Sequence, residues 1–167
     1  MCELEIPEHV DRLSDAFRAI RERMMTKFQC QSNRVLQRIL ERRRAENPRV
    51  VFSRHLSDDD HSVVIAEAEF SKVVEALLDW GAGQGEGELS FEVRTSQDWW
   101  MLEMRHNGLF IPSDRWRGAF TADAVPGGVT LSAVPEILAK YDGDICIKAS
   151  DEDSGTTLLV RLRILRS

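Results

Sequence analysis

The spacing of hydrophobic side chains changes part-way along this sequence, and that change limits the folds open to it. Between residues 10 and 40 they recur in steps of three and four: Val10, Leu13, Phe17, Ile20, Met24 and Phe28, then Val35, Leu36, Ile39 and Leu40. Such steps line one face of a helix. From residue 49 the helical spacing gives way, in several stretches, to a spacing of two. Leu89, Phe91 and Val93 alternate with polar residues. Trp100, Leu102 and Met104 alternate with Met101, Glu103 and Arg105. In the last stretch Leu158, Val160, Leu162 and Ile164 face one way and Arg161 and Arg163 the other. Alternation of this kind marks strands with one face toward a core.

The punctuation between these stretches sets the element order. The polar residues 29–33 interrupt the first pattern, either as a turn between two antiparallel helices or as a polar patch within one long helix. Asn47-Pro48 ends it, because the residue before proline avoids helical geometry. Short strands are predicted at Val50-Val51-Phe52 and Val63-Val64-Ile65, with a polar loop over 55–61. A helix spans 67–80, with Phe70, Val73, Val74, Leu77 and Leu78 on one face. The glycine-rich run 81–87 reads as a flexible loop, and residues 95–98 as a hairpin turn. Residues 107–128, rich in Gly, Pro and Asp, form an ordered loop region, followed by a helix over 132–141, a strand through Ile145 and Ile147, and a turn at Ser154-Gly155. The expected fold class is α+β: a two-layer α/β sandwich with a mixed, mainly antiparallel sheet. An N-terminal helical, dimerisation-type segment, residues 1–48, precedes the sandwich at 49–167. Trp99 and Trp100, adjacent in a strand, must point to opposite faces, so one of them is exposed or covered by something else.

Composition excludes several function classes. The chain has 43% hydrophobic and 30% charged residues, as expected of a globular protein, and no apolar run approaches the length of a membrane span. Its net charge is -6; residues 1–49 hold 11 Lys/Arg against 8 Asp/Glu, a balance of +3 that leaves -9 for the rest. An acidic body argues against nucleic acid as a partner. The run Arg42-Arg43-Arg44 reads as a solvated helix end. Cys2, Cys30 and Cys146 are too far apart for a zinc or redox motif. Together with an acidic N-terminus, this favours a reducing, cytoplasmic location.

Four stretches in the second half carry a family resemblance: Arg105 through Pro112, Pro126-Gly127-Gly128-Val129-Thr130-Leu131, Tyr141-Asp142-Gly143-Asp144-Ile145, and Ser154-Gly155-Thr156-Thr157. In order and spacing they resemble the catalytic ATP-binding domain of sensor histidine kinases, a group of GHKL-type ATPases. The resemblance covers residues 49–167 and implies a nucleotide site. It aligns His106 with the aspartate that binds adenine, and Gly108 with the glycine of the same turn. Phe110 falls on a further glycine of that turn, and Gly128 and Thr130 on the glycine-rich lid hinge. Gly155 and Thr156 match the Gly-Thr of the last hairpin. The helix from Glu69 looks like the one bearing the metal-binding asparagines, with Ala76 and Trp80 at their positions. An indole offers magnesium no oxygen ligand, and Pro126 removes an N–H that would face phosphate. With the site vacated, Phe110, Trp116 and Phe120 are expected to pack the former lid down as an ordered plug.

Other residue patterns carry less. His9 is the candidate phospho-acceptor of the helical region, but the start of a helix suits a surface residue better. His55, His61 and the acidic residues between them match no zinc spacing. The 81–87 run follows a helix rather than opening one and brings no Lys or Arg, unlike phosphate loops. No activated nucleophile is recognisable. The function expected is therefore a non-catalytic, histidine-kinase-like signalling domain in a two-component-type pathway. It would bind a kinase, receiver or regulator without cofactor, and form a homodimer through its N-terminal helices. The alternatives are a divergent kinase fragment that uses ATP and magnesium, and a histidine phosphotransferase with a degenerate ATP-binding-like domain.

Overall fold

In the computed structural model the two spacings become two layers. The structure describes residues 15–20, 28–46, 52–55, 61–84, 87–121 and 131–165. The strands are β1 (Gln29–Gln31), β2 (Phe52–His55), β3 (Ser62–Val64), β4 (Leu89–Ser96), β5 (Trp99–His106), β6 (Asp144–Asp151) and β7 (Gly155–Arg163). Besides the helical residues 15–20, the helices are α1 (Ser32–Glu46), α2 (Glu67–Ala82) and α3 (Ala133–Ala139). Five strands form one sheet in the order β2-β4-β5-β7-β6. The β2–β4 pair is parallel and the others are antiparallel. The expected mixed, mainly antiparallel sheet of an α+β sandwich is therefore present.

Alternation places Leu89, Phe91, Val93, Trp100, Leu102, Met104, Leu158, Val160 and Leu162 on one buried face. The apolar stripes of all three helices join them in a single core: Val35, Leu36, Ile39 and Leu40 from α1, Phe70 through Leu78 from α2, and Val134 and Leu138 from α3. Gly81 lets α2 sit close on the sheet, since a Cβ there would come within 2.8 Å of Leu89 Cδ2. Helices α1, α2 and α3 all lie on this face, and among the described residues none of them covers the other. There Trp99 lies under two guanidinium groups, with Arg161 Cζ 4.9 Å and Arg163 Cζ 4.0 Å from its ring centroid.

The structure departs from the sequence reading near residue 30. Residues 29–31 are neither a turn between helices nor part of one. They form β1, antiparallel to β3, with Cys30 opposite Val63. Cys30 points inward and Gln29 and Gln31 outward, a three-residue alternation too short to stand out in the sequence. Helix α1 then starts at Ser32, and its apolar stripe is buried in the same cluster as the sheet. Asn33, 7% exposed, fixes the start of α1 to the sheet: its Oδ1 accepts a hydrogen bond of 2.9 Å from Trp100 Nε1. The run Arg42-Arg43-Arg44 ends the helix largely in solvent, as expected, with Arg42 and Arg44 exposed. Arg42 and Arg43 both pair with Glu75 of α2, and Arg43 also with Asp79 at 2.6 Å. Glu75 and Asp79, one turn apart on α2, face the end of α1 and so meet these charges, although partly exposed pairs add little stability.

Two substitutions test whether α1 belongs to this core. Asn33→Ala strands the buried Trp100 N–H and should cost about 1–3 kcal/mol. Leu36→Ala should cost about 2–5 kcal/mol. In urea both should lower the midpoint of one transition shared by the whole domain. A separate early transition for residues 28–46 would show that α1 is an appendage.

Candidate functional site

The positions singled out in the sequence gather where α2 ends and β5 runs into its following turn. Trp80 is in the last turn of α2, 3% exposed, and Ala76 is half-buried one turn before it. His106 closes β5 with 1% exposure, and its Nδ1 accepts a 3.1 Å hydrogen bond from the Gly108 amide. The turn is tied back to the chain before β4, with Asn107 Oδ1 accepting from the Glu88 amide at 2.8 Å and the Asn107 amide donating to the Glu88 carbonyl at 3.2 Å.

The β6–β7 hairpin presses on the same turn. Gly155 has a φ of +86°, and a Cβ there would stand 2.1 Å from the His106 carbonyl oxygen and 2.6 Å from Asn107 Cα. Only glycine fits both the backbone conformation and the contact. Thr156, fully buried, donates from Oγ1 to the Leu109 carbonyl at 2.7 Å. Ser150, opposite it in the hairpin register, shares a 2.7 Å hydrogen bond with Thr156 Oγ1 and accepts from the Ile111 amide at 2.8 Å. Since the Thr156 proton goes to Leu109, Ser150 is the donor of the pair. Three hydrogen bonds thus run in one direction and hold residues 109–111 to the hairpin. Its tip is fixed by Asp151, which accepts from the Ser154 hydroxyl and from the amides of Ser154 and Asp153. The Ser154 hydroxyl, more than the amides, holds the Asp151 carboxyl below the ordinary carboxylate range.

The chain beyond Pro112 folds into 3₁₀ turns at Ser113–Arg115 and Arg117–Phe120. Trp116 anchors them through a 2.9 Å hydrogen bond from Nε1 to the Ile111 carbonyl. Trp116 and Phe120 pack against the core and Ala119 is buried, but Phe110 is 44% exposed, so it does not fill the site as expected. What remains between α2 and these turns is a cavity of about 90 Å³ lined by Trp80, Gln84, Leu109, Phe110, Ile111, Pro112, Arg115 and Ala119. Trp80 and Phe110 thus meet in one cavity, while His106, Gly108, Gly155 and Thr156 form its structural surround. Gly128, Thr130 and His9 lie outside the described residues, as do Pro126 and most of the loop between His55 and His61. Among the described residues no three His, Cys, Asp or Glu side chains are grouped to hold a metal ion.

Sequence reasoning missed Ser150 and Arg115. Ser150 carries a signal only once the hairpin register is known, and Arg115 sits in a loop without periodicity.

No family model and no curated protein sequence matches the chain. Solved structures do. The mycobacterial sensor histidine kinase MprB is 18% identical, with a TM-score of 0.71 over 83% of this chain and 98% of its own. The ATP-binding domain of PrrB from Mycobacterium tuberculosis is 16% identical, with a TM-score of 0.71 and the same two coverages, 83% and 98%. The histidine kinase ThkA in complex with the response regulator protein TrrA is 14% identical, with a TM-score of 0.69 over 95% of this chain and 49% of that one. The fold is that of the catalytic ATP-binding domain of sensor histidine kinases; identities this low show the fold alone.

Gly155→Ala tests the contact between hairpin and turn. Both the positive φ and the Cβ clash with backbone act against alanine, so stability should fall by at least about 1–3 kcal/mol. Thermal unfolding measures this, and an unchanged midpoint would mean that the hairpin does not press on the His106 turn.

Proposed function

We propose that this chain is a non-catalytic, histidine-kinase-like domain of a two-component-type pathway that acts by binding another protein. The observation that carries the reading is Trp80, 3% exposed in the core at the position where the resemblance expects a magnesium-binding asparagine. Magnesium needs oxygen ligands in near-octahedral geometry, and here an indole occupies the space. The neighbouring carboxylates that might have compensated, Glu75 and Asp79, are engaged by Arg42 and Arg43. The cavity left, about 90 Å³, is far below the roughly 300–1,000 Å³ of a site for a drug-sized ligand. His106 replaces the adenine-binding aspartate, and the imidazole is buried and already hydrogen-bonded.

The partner in this reading is a receiver, kinase or regulator, a role suggested by the response regulator bound to ThkA. Self-association belongs to the segment before β1. In the helical residues 15–20, Phe17 and Ile20 are 69% and 54% exposed and, three residues apart, share one helix face. The reading places the protein in the cytoplasm; among the described residues no helix is long and apolar enough to cross a membrane.

Millimolar Mg-ATP is the direct test. It should leave the unfolding midpoint unchanged and label no residue with phosphate. A saturable rise of several degrees, as expected when ligand binds only the folded state, would overturn the reading in favour of a divergent kinase.

A further inference from the structure

The cavity beside Trp80 has a polar feature that loss of the nucleotide site does not explain. Most of its lining is apolar, with Leu109, Ile111, Pro112 and Ala119 meeting the Trp80 indole. Arg115 also lines it. That side chain is exposed and, among the described residues, its guanidinium has no ion pair or hydrogen bond. Arg38, Arg42, Arg43, Arg94 and Arg161 each hold a carboxylate; Arg44, Arg105 and Arg117 are, like Arg115, without an ion pair among the described residues, but Arg115 is the one of these four that lines the cavity. In a chain with a net charge of -6, acidic side chains are plentiful, and Arg115 has been left without one beside an apolar hole.

Size and chemistry together define what would fit. A cavity of about 90 Å³ is smaller than the roughly 150 Å³ space that holds benzene. It suits a branched group of about four or five carbons rather than a ring. Removing such a group from water is favourable, and the fork of a guanidinium matches a carboxylate in two parallel hydrogen bonds.

We propose that this cavity binds a short branched-chain carboxylate, its hydrocarbon against Trp80 and its carboxylate on Arg115. Two sources share this chemistry: a free short-chain acid, and the C-terminal residue of a partner peptide. The site is distinct in kind from a nucleotide site, because it needs neither metal nor phosphate contacts.

Calorimetric titration of the intact chain with 3-methylbutanoate, 3-methylbutanamide and N-acetyl-leucine tests it. The acids should saturate in the millimolar range, with the uncharged amide at least about tenfold weaker. Arg115→Gln, at an exposed position, should bring the acids down to the affinity of the amide. Ala119→Met, which fills the cavity, should abolish binding of all three while unfolding remains cooperative. Tighter binding of N-acetyl-leucine assigns the peptide terminus, and tighter binding of 3-methylbutanoate the free acid. No saturation by either acid, equal binding of acid and amide, or unchanged affinity in Arg115→Gln would overturn the proposal.

Discussion

The inner face of β4, β5 and β7 carries nine large apolar side chains that have to be kept from water, and the three helices exist where they do to cover it. Strand alternation exposes that face to one side only. Coverage needs helices with apolar stripes at compatible spacing, and α1, α2 and α3 supply them within a single core. The close seat of α2, allowed by Gly81 against Leu89, carries the end of that helix to the turn after β5. Every feature of the candidate site follows from this docking. Trp80 is buried because the last turn of α2 is pressed to the sheet, and His106 is buried because β5 ends beneath it.

The solved structures with this fold include an ATP-binding domain and a catalytic domain. In this chain the region between the end of α2 and the β6–β7 hairpin is held by contacts between protein groups. Ser150 and Thr156 relay hydrogen bonds to residues 109–111, Trp116 pins the 3₁₀ turns, and arginines of α1 engage the carboxylates of α2 beside Trp80. Each contact satisfies groups that an open cleft would leave to solvent or ligand. The site is thus largely an interior, with a small cavity beside Arg115.

Much of this was legible in the residues. The alternation in 89–93, 100–104 and 158–164 located the central strands, and the helical steps in 70–78 located α2 and its buried face. Order and spacing led to the right fold although no motif was intact. Other features required the third dimension. β1 is three residues long, too short for a period to register, so its pairing with β3 and the true start of α1 were missed. The ion pairs of Arg42 and Arg43 were not foreseen because their partners, Glu75 and Asp79, are more than thirty residues away. Phe110 was expected to fill the site on hydrophobicity alone, yet it stands partly in solvent, because the hydrogen bonds on Leu109 and Ile111 dictate the backbone on either side of it.

The central claim is that Trp80 is structural and stands where a metal ligand would otherwise be. Trp80→Asn restores the residue type expected by resemblance and removes a buried indole. Thermal unfolding of this variant, with and without Mg-ATP, decides the matter. The account predicts a loss of about 3–5 kcal/mol from the vacated volume, seen as a midpoint lowered by roughly ten degrees or more, which nucleotide does not restore. A variant as stable as the parent chain, or one that Mg-ATP stabilises saturably, would contradict it and show that a nucleotide site lies intact beneath the indole.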